Sequence, residues 1–198
     1  MLGNKSLTIL QFVIFYQNAC QGFETVSLNV MQYNVWGVPQ THSLYKTERM
    51  KGLAQLIKNR KLKFDILILN ELWMEHDHYV IQQAAQEAGY YMTGFRELTR
   101  WYCDGRVTPS GCSGLAFLSI FPFKQSDFKD FTYKGDIFND YEWASAKGIA
   151  RVQIEPVKNL TIDVFATHIH ATSKYYQQKQ IKKRYLKQYG SQLLMFLY

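Results

Sequence analysis

The stretch Phe64-Asp65-Ile66-Leu67-Ile68-Leu69-Asn70-Glu71-Leu72-Trp73 decides the fold of this chain. Its apolar residues are mostly branched and run without alternation, which indicates a β-strand buried on both faces. Glu71 lies at the end of this strand, where a carboxylate is costly to desolvate unless a partner compensates its charge. A divalent cation is one such partner, because hard cations take oxygen ligands. The alternative is a solvated Asn-Glu pair at a strand end.

The length and composition fit one globular domain with a sizeable core. The chain has 198 residues, of which 47% are hydrophobic and 20% charged, and it is rich in Tyr and Phe. The formal net charge of +7 suits a phosphate ester, a nucleic acid or an anionic membrane surface, without choosing among them. Much of the excess lies within residues 174–187, where a solvated helix face also explains it.

The amino terminus has the pattern of a secretory signal peptide over residues 1–22. Lys5 gives a positively charged start, and the segment from Leu7 to Tyr16 is apolar but short for a membrane span. Small residues precede a cleavage position before Phe23. We therefore expect a secreted protein or one in the secretory pathway. The alternatives are a hydrophobic amino-terminal strand and an uncleaved anchor, and the latter would make the protein membrane-associated.

Two further features fit secretion. Removal of the signal peptide would leave Cys103 and Cys112, an even count that favours a disulfide bond in an oxidising compartment. Asn159 begins an Asn-Leu-Thr acceptor sequence in a predicted turn, so it is a candidate for N-glycosylation.

The alternation of strand and helix patterns predicts an α/β fold with helices outside the sheets. Apolar periodicity and turn signals place the elements. Strands are predicted at Thr25–Tyr33, Phe64–Leu69, Leu115–Ser119, Gly148–Glu155 and Leu160–Thr167, and helices at Lys46–Lys58, Asp77–Ala88 and Tyr175–Tyr198.

Four polar residues fall at predicted strand ends or in the loops beside them, namely Asn34, Glu71, Lys147 and His168. Ligands gather at such places because rigid elements position the loops there. The alternatives are a structural histidine and a surface lysine. The sequence has no HExxH, GxSxG, Walker A or GxGxxG motif, and the residues around His168 lack the spacing of a zinc trio.

In order and spacing these residues resemble the endonuclease/exonuclease/phosphatase superfamily, and within it the neutral sphingomyelinase branch. Trp36 together with His168-Ile169-His170-Ala171 favours a sphingomyelinase over a nuclease. The resemblance covers Val26 to about Phe196. Its segments are Gln32–Pro39, Glu48–Met50, Ile66–Trp73, Gly111–Pro122, Ala146–Gly148 and Thr167–Ala171.

The resemblance implies a two-sheet α/β sandwich and Mg²⁺-dependent phosphodiester hydrolysis. The implied substrate is sphingomyelin at a membrane surface, with ceramide and phosphocholine as products. Glu71 would be the Mg²⁺ ligand, and Asn34 would lie near the same metal and the phosphate. His168 would contact the phosphate and stabilise charge in the transition state.

The resemblance also implies a role for Lys147 in a loop that controls catalytic competence. Its aspartate partner would be Asp136 or Asp140. His170 would support the site rather than take part in the reaction.

The family pattern continues with a Gly-Asp-x-Asn strand and a Ser-Asp-His motif that supplies the general base, and neither follows within these 198 residues. We therefore expect residues 23–198 to form the amino-terminal part of such a domain and to be inactive alone. The alternatives are a nuclease, a phosphoinositide phosphatase, or a non-catalytic module that binds lipid or a protein partner. Nucleic acid is not the expected partner, because no basic patch carries interleaved aromatics outside the predicted terminal helix. The sequence does not indicate an oligomeric state.

We expect Cys103 and Cys112 to be disulfide-bonded in secreted material, because they would be the two cysteines of the mature chain. Alkylation of non-reduced protein followed by peptide mass spectrometry should label neither residue. The loop is short, so the bond should stabilise the fold by less than the ~3 kcal/mol of a 15-residue loop. Labelling of both thiols contradicts the pairing.

Overall fold

The fold consists of two β-sheets with helices on the outside. The computed structural model describes residues 7–18, 22–38, 44–94, 113–132, 147–170, 173–182 and 193–197. Within these ranges the strands are β1 (Leu7–Asn18), β2 (Gly22–Asn34), β3 (Ile66–Asn70), β4 (Tyr91–Gly94), β5 (Ala116–Ser119), β6 (Phe123–Asp130), β7 (Gly148–Val157), β8 (Leu160–Thr167) and β9 (Leu193–Leu197). The helices are α1 (Lys46–Lys58), α2 (Glu75–Glu87) and α3 (Lys174–Lys182).

The strand order places the parallel pair β2 and β3 at the centre of the first sheet. That sheet runs β1-β2-β3-β5-β4, and the second runs β6-β7-β8-β9. Strands β2 and β3 are parallel, with Asn34 opposite Asn70, so their carboxyl ends meet at one edge. Strands β8 and β9 are also parallel, and the other pairs are antiparallel.

Strand β3 is buried on both faces, as the apolar run predicts. Ile66 and Ile68 pack in the core between the two sheets, and Leu67 and Leu69 pack under the helices. Burying such a side chain stabilises the fold by about 1.5–3 kcal/mol, so both faces of this strand contribute strongly.

Helices α1 and α2 cover the outer face of the first sheet, which confirms the predicted α/β class. Helix α1 turns Met50, Leu53 and Ile57 towards the sheet at helical spacing. Lys46 Nζ and Asp77 Oδ2 form an ion pair of 2.9 Å that joins the two helices. Removing either partner of such a well-buried pair would leave an uncompensated charge.

The predicted helix over Tyr175–Tyr198 is wrong at its carboxyl end. Helix α3 covers Lys174–Lys182, and Leu193–Leu197 form strand β9, which pairs with the free side of β8. A short apolar run is compatible with the periodicity of a helix or of a strand. The unpaired backbone N–H and C=O groups along the free side of β8 favour a strand here. The structure also contains strands β4 and β6, which the apolar periodicity did not predict.

Residues 7–18, within the predicted signal peptide, form strand β1 and pair antiparallel with β2 along their whole length. This arrangement matches the alternative of a hydrophobic amino-terminal strand. Strand pairing in the uncut chain does not test processing, so cleavage before Phe23 and secretion stay predictions. In the described part of the chain, no helix has the length and apolar character needed to cross a membrane.

The structure does not test three predictions made from the sequence: the disulfide bond, the aspartate partner of Lys147 and the N-glycosylation site. Cys103 and Cys112 lie outside the described residues, as do Asp136 and Asp140. Asn159 is exposed in the turn between β7 and β8, so its glycosylation stays a prediction on an accessible residue.

Two glycines offer a matched test of the backbone. Gly114 has a φ of +65°, and an added Cβ would lie 2.7 Å from the Trp73 ring, so Gly114→Ala should destabilise the fold by more than the ~1–2 kcal/mol of a left-handed residue. Gly52 lies inside α1, where a Cβ would meet nothing, so Gly52→Ala should stabilise by ~0.5–1 kcal/mol. Urea unfolding checks both, and equal effects would contradict the packing at Gly114.

Candidate functional site

The carboxyl ends of β2 and β3 bring Asn34 and Glu71 together. Asn34 is the last residue of β2, and Glu71 follows β3 directly. The Asn34 Nδ2 group donates a hydrogen bond to Glu71 Oε1 at 2.6 Å. Asn34 is buried, and the side chain of Glu71 is 16% exposed. The carboxylate is therefore oriented by a buried amide but stays within reach of solvent.

The backbone around Glu71 is held in an unusual conformation. Glu71 has a φ of +62°, which costs a non-glycine residue about 1–2 kcal/mol. The Gly37 amide donates to the Glu71 carbonyl oxygen at 2.8 Å, and the Leu72 amide donates to the Gly114 carbonyl oxygen at 2.9 Å. A side chain at Gly37 would collide with the Glu71 carbonyl group, so this approach requires glycine. Backbone strain of this kind clusters at functional sites.

The loop after β2 is fastened to helix α1. Asn34 Oδ1 accepts a hydrogen bond from the Trp36 amide at 2.8 Å, so both ends of the Asn34 side chain are fixed. Arg49 donates from Nη2 to the Trp36 carbonyl oxygen at 3.1 Å, and its guanidinium lies 5.3 Å from the centre of the Trp36 ring. These contacts hold the loop against α1 and so hold Asn34 towards Glu71.

The second sheet contributes His168, which follows β8. His168 Nε2 lies 3.7 Å from Glu71 Oε1, and its side chain is 6% exposed. The ring centres of His168 and Trp73 are 5.8 Å apart. Thus Asn34, Glu71 and His168, which the sequence places at three separate strand ends, meet at one edge of the sandwich.

Electrostatics keep His168 neutral. Burial of the imidazole, and next the positive charge of Lys147, lower the pKa of His168 well below its ordinary value of 6.5. Glu71 Oε1 is farther from Nε2 than a hydrogen bond allows. A neutral imidazole carries one N–H donor, which suits it to contact an anionic ligand without carrying charge itself.

Lys147 is a buried residue, which excludes the alternative of a surface lysine. It is 2% exposed, and its Nζ donates to the Ile169 carbonyl oxygen at 2.8 Å. Lys147 therefore lies beside the segment that carries His168. Both of its candidate aspartate partners fall outside the described residues, so their pairing stays a prediction.

His170 anchors helix α3 to the end of β8. Its Nδ1 accepts a hydrogen bond from the Ser173 amide at 3.0 Å, and its ring stacks on Tyr176 at 5.1 Å. The His170 amide donates to Gln180 Oε1 at 2.9 Å, and Gln177 Nε2 donates to the His170 carbonyl oxygen at 2.7 Å. His170 is fully buried, and its supporting role at the site stays a prediction.

Two polar residues directly beneath the site, Gln32 and Asn70, were not predicted from the sequence. Both are buried, at 4% and 0% exposure, and Gln32 Nε2 donates to Asn70 Oδ1 at 3.0 Å. The available signal was Asn70 itself, an amide at the end of an otherwise apolar strand. An isolated buried amide requires a partner, which points to a second polar residue nearby.

The donor set at this site fits Mg²⁺. Within the described ranges, no group of three His, Cys, Asp or Glu side chains could hold a metal. Mg²⁺ needs no such group, because it keeps several waters and binds through one or two carboxylates. Asn34 occupies Glu71 Oε1, and Oε2 accepts no hydrogen bond from the described residues. The role of Glu71 as the metal ligand stays a prediction, as does the placement of Asn34 near the same metal.

Curated proteins of known name resemble this chain in sequence. The inositol phosphosphingolipids phospholipase C of Schizosaccharomyces pombe is 28% identical over 146 residues, which are 73% of this chain and 31% of that protein. Sphingomyelin phosphodiesterase 2 of Rattus norvegicus is 26% identical over 161 residues, which are 79% of this chain and 34% of that protein. The chain is homologous to the neutral sphingomyelinases. No protein-family model matches it.

Solved structures share the fold of this chain. Sphingomyelinase C from Streptomyces griseocarneus matches with a TM-score of 0.64 at 21% identity, over 86% of this chain and 62% of that one. A mutant beta toxin from Staphylococcus aureus with bound magnesium ions matches with a TM-score of 0.59 at 18% identity, over 86% of this chain and 63% of that one. These likenesses confirm the two-sheet endonuclease/exonuclease/phosphatase fold. The chain spans about a third of the length of the curated relatives it matches.

The depressed pKa of His168 predicts a loss of stability in acid. Above about pH 6.5, position 168 is neutral in both folded and unfolded chains. Below it the unfolded chain takes up a proton that the folded chain resists, so stability falls by up to about 1.4 kcal/mol per pH unit until the folded-state pKa is reached. His168→Gln should lack this component. Urea unfolding of both proteins between neutral and mildly acidic pH measures the difference, and parallel curves contradict it.

Proposed function

We propose that this chain carries the metal-binding and phosphate-binding edge of a Mg²⁺-dependent phosphodiesterase of phosphosphingolipids, for which sphingomyelin at a membrane surface is a substrate. The observation that carries the proposal is the meeting of Asn34, Glu71 and His168 at one edge of the two sheets. The names of the two relatives support the lipid class, since one refers to inositol phosphosphingolipids and the other to sphingomyelin. They differ in headgroup, so the phosphosphingolipid class is the shared part.

Each residue has a distinct task in this proposal. Glu71 would hold the metal, and the hydrogen bond from Asn34 fixes the orientation of its carboxylate. When bound, Mg²⁺ polarises the phosphoryl oxygens of the substrate. His168 donates its N–H to a phosphate oxygen, where negative charge grows in the transition state. Lys147, buried beside it, adds a fixed positive charge to this edge of the sandwich.

Magnesium affinity tests the metal site directly. Calorimetric titration of the chain with MgCl₂ should show one site, and Glu71→Gln should weaken it by more than about tenfold, because a neutral amide is a poorer ligand for a hard cation. Glu87→Gln is the matched control, since Glu87 is a half-exposed carboxylate on α2. Equal affinity in Glu71→Gln and Glu87→Gln would refute the assignment of the metal to Glu71.

Sphingomyelin hydrolysis separates the roles of Glu71 and His168. Phosphocholine release is measured with the chain fused to an added carboxy-terminal segment that carries the Ser-Asp-His motif implied by the resemblance. Excess Mg²⁺ should partly restore Glu71→Gln, whose defect lies in metal affinity, but not His168→Ala. Loss of one such donor typically costs ~3 kcal/mol of transition-state stabilisation. Full activity of His168→Ala at every Mg²⁺ concentration would show that His168 is structural.

A further inference from the structure

A chain of buried hydrogen bonds crosses from one sheet to the other beneath the site. Gln32 Nε2 donates to Asn70 Oδ1 at 3.0 Å, which joins β2 to β3. Asn70 Nδ2 donates to the Thr167 carbonyl oxygen at 3.4 Å, a long hydrogen bond that joins β3 to β8. Thr167 Oγ1 donates to the Gly148 carbonyl oxygen at 2.7 Å, which joins β8 to β7. We call Gln32, Asn70, Thr167 and Gly148 the polar bridge.

Every member of the polar bridge lies one or two positions from a residue of the site in the sequence. Asn70 precedes Glu71 and Thr167 precedes His168. Gly148 follows Lys147 in the same way, and Gln32 lies two residues before Asn34 on the same face of β2. A change in any hydrogen bond of the polar bridge would therefore shift backbone that lies only one or two residues from the site.

The polar bridge also forms the last layer of the core between the sheets. Ile66 and Ile68 of β3 lie in that core, and Asn70 continues the same face of the strand. Apolar packing is non-directional, whereas hydrogen bonds fix both distance and angle. An amide with no exposed surface costs about 1–3 kcal/mol unless it is paired, so the sheets cannot slide at Asn70 without losing its partners.

We propose that Asn70 is a positioning residue whose amide ties β3 to β8 and thereby sets the separation of Glu71 from His168 across the two sheets. The distance between the Glu71 and His168 side chains is argued from the contacts of this chain alone. The consequence for Mg²⁺ affinity rests on the proposed function, so the distance and the affinity are tested by different measurements.

The separation can be measured without metal by nuclear Overhauser effects between the side-chain protons of Glu71 and the ring protons of His168. In Asn70→Leu the effect should weaken severalfold relative to the native chain. Ile68→Val is the matched control, because Ile68 is fully buried on the same face of β3 and loses only a methylene-sized volume. The control should keep the native effect. An unchanged effect in Asn70→Leu would overturn the proposal.

A double variant distinguishes positioning from stability. Asn70→Leu alone leaves Gln32 unpaired, whereas Gln32→Met with Asn70→Leu replaces both amides by apolar groups, a change that is often nearly neutral for stability. We expect the double variant to unfold at a urea concentration close to that of the native chain, yet to show the same weakened nuclear Overhauser effect between Glu71 and His168 as Asn70→Leu. If the double variant recovered both the stability and the native nuclear Overhauser effect, the polar bridge would only stabilise the fold. If Asn70→Leu does not fold, the double variant carries the comparison.

Magnesium titration then connects the bridge to the proposed function. Both Asn70→Leu and the double variant should lose Mg²⁺ affinity by about tenfold or more, as residues that orient metal ligands typically do, and Ile68→Val should not. If the native chain binds no Mg²⁺, the proposed function fails and the proton distances still decide the role of Asn70. Native affinity in Asn70→Leu would contradict its positioning role at the metal site.

Discussion

The parallel pairing of β2 and β3 is the constraint on which the rest of the site depends. It places Asn34 opposite Asn70, so that the residue after β3, Glu71, turns back onto the end of β2. A shift of one residue in this register would send every side chain of β3 to the opposite face. The apolar residues on both faces of β3 prevent such a shift, because each face fills a separate core. The packing of the core therefore fixes the register of β3, and this register in turn places the Glu71 carboxylate.

Two charged side chains lie close to His168 at the edge of the sandwich where β2, β3 and β8 end. A buried Lys147 and a partly exposed Glu71 flank a neutral His168. Burial of charged groups is costly, and the hydrogen bonds from Asn34 to Glu71 and from Lys147 to the Ile169 carbonyl oxygen offset part of that cost. Burial, and next the positive charge of Lys147, lower the pKa of His168.

The sequence predicted the parts of the fold that depend on local pattern. The doubly buried strand at Ile66–Asn70 and the helix at Lys46–Lys58 formed where periodicity placed them. The strand at Leu193–Leu197 was missed, because its pairing with β8 is a long-range choice that a short apolar run does not reveal. For the site, the resemblance named Asn34, Glu71, Lys147 and His168, and the structure brings Asn34, Glu71 and His168 into contact while burying Lys147 beside them. The hydrogen bonds of the polar bridge could not be predicted from local sequence pattern, because Gln32 and Thr167 lie 38 and 97 positions from Asn70.

Crystals of the chain soaked in MnCl₂ would test the central claim most directly, because Mn²⁺ replaces Mg²⁺ at oxygen sites and can be located by its anomalous scattering. The account predicts one peak at bonding distance from Glu71 Oε2, on the side of the carboxylate that faces away from Asn34 and within reach of a phosphate held by His168. A peak bound elsewhere, or no peak while Glu71 keeps its contact with Asn34, would contradict it.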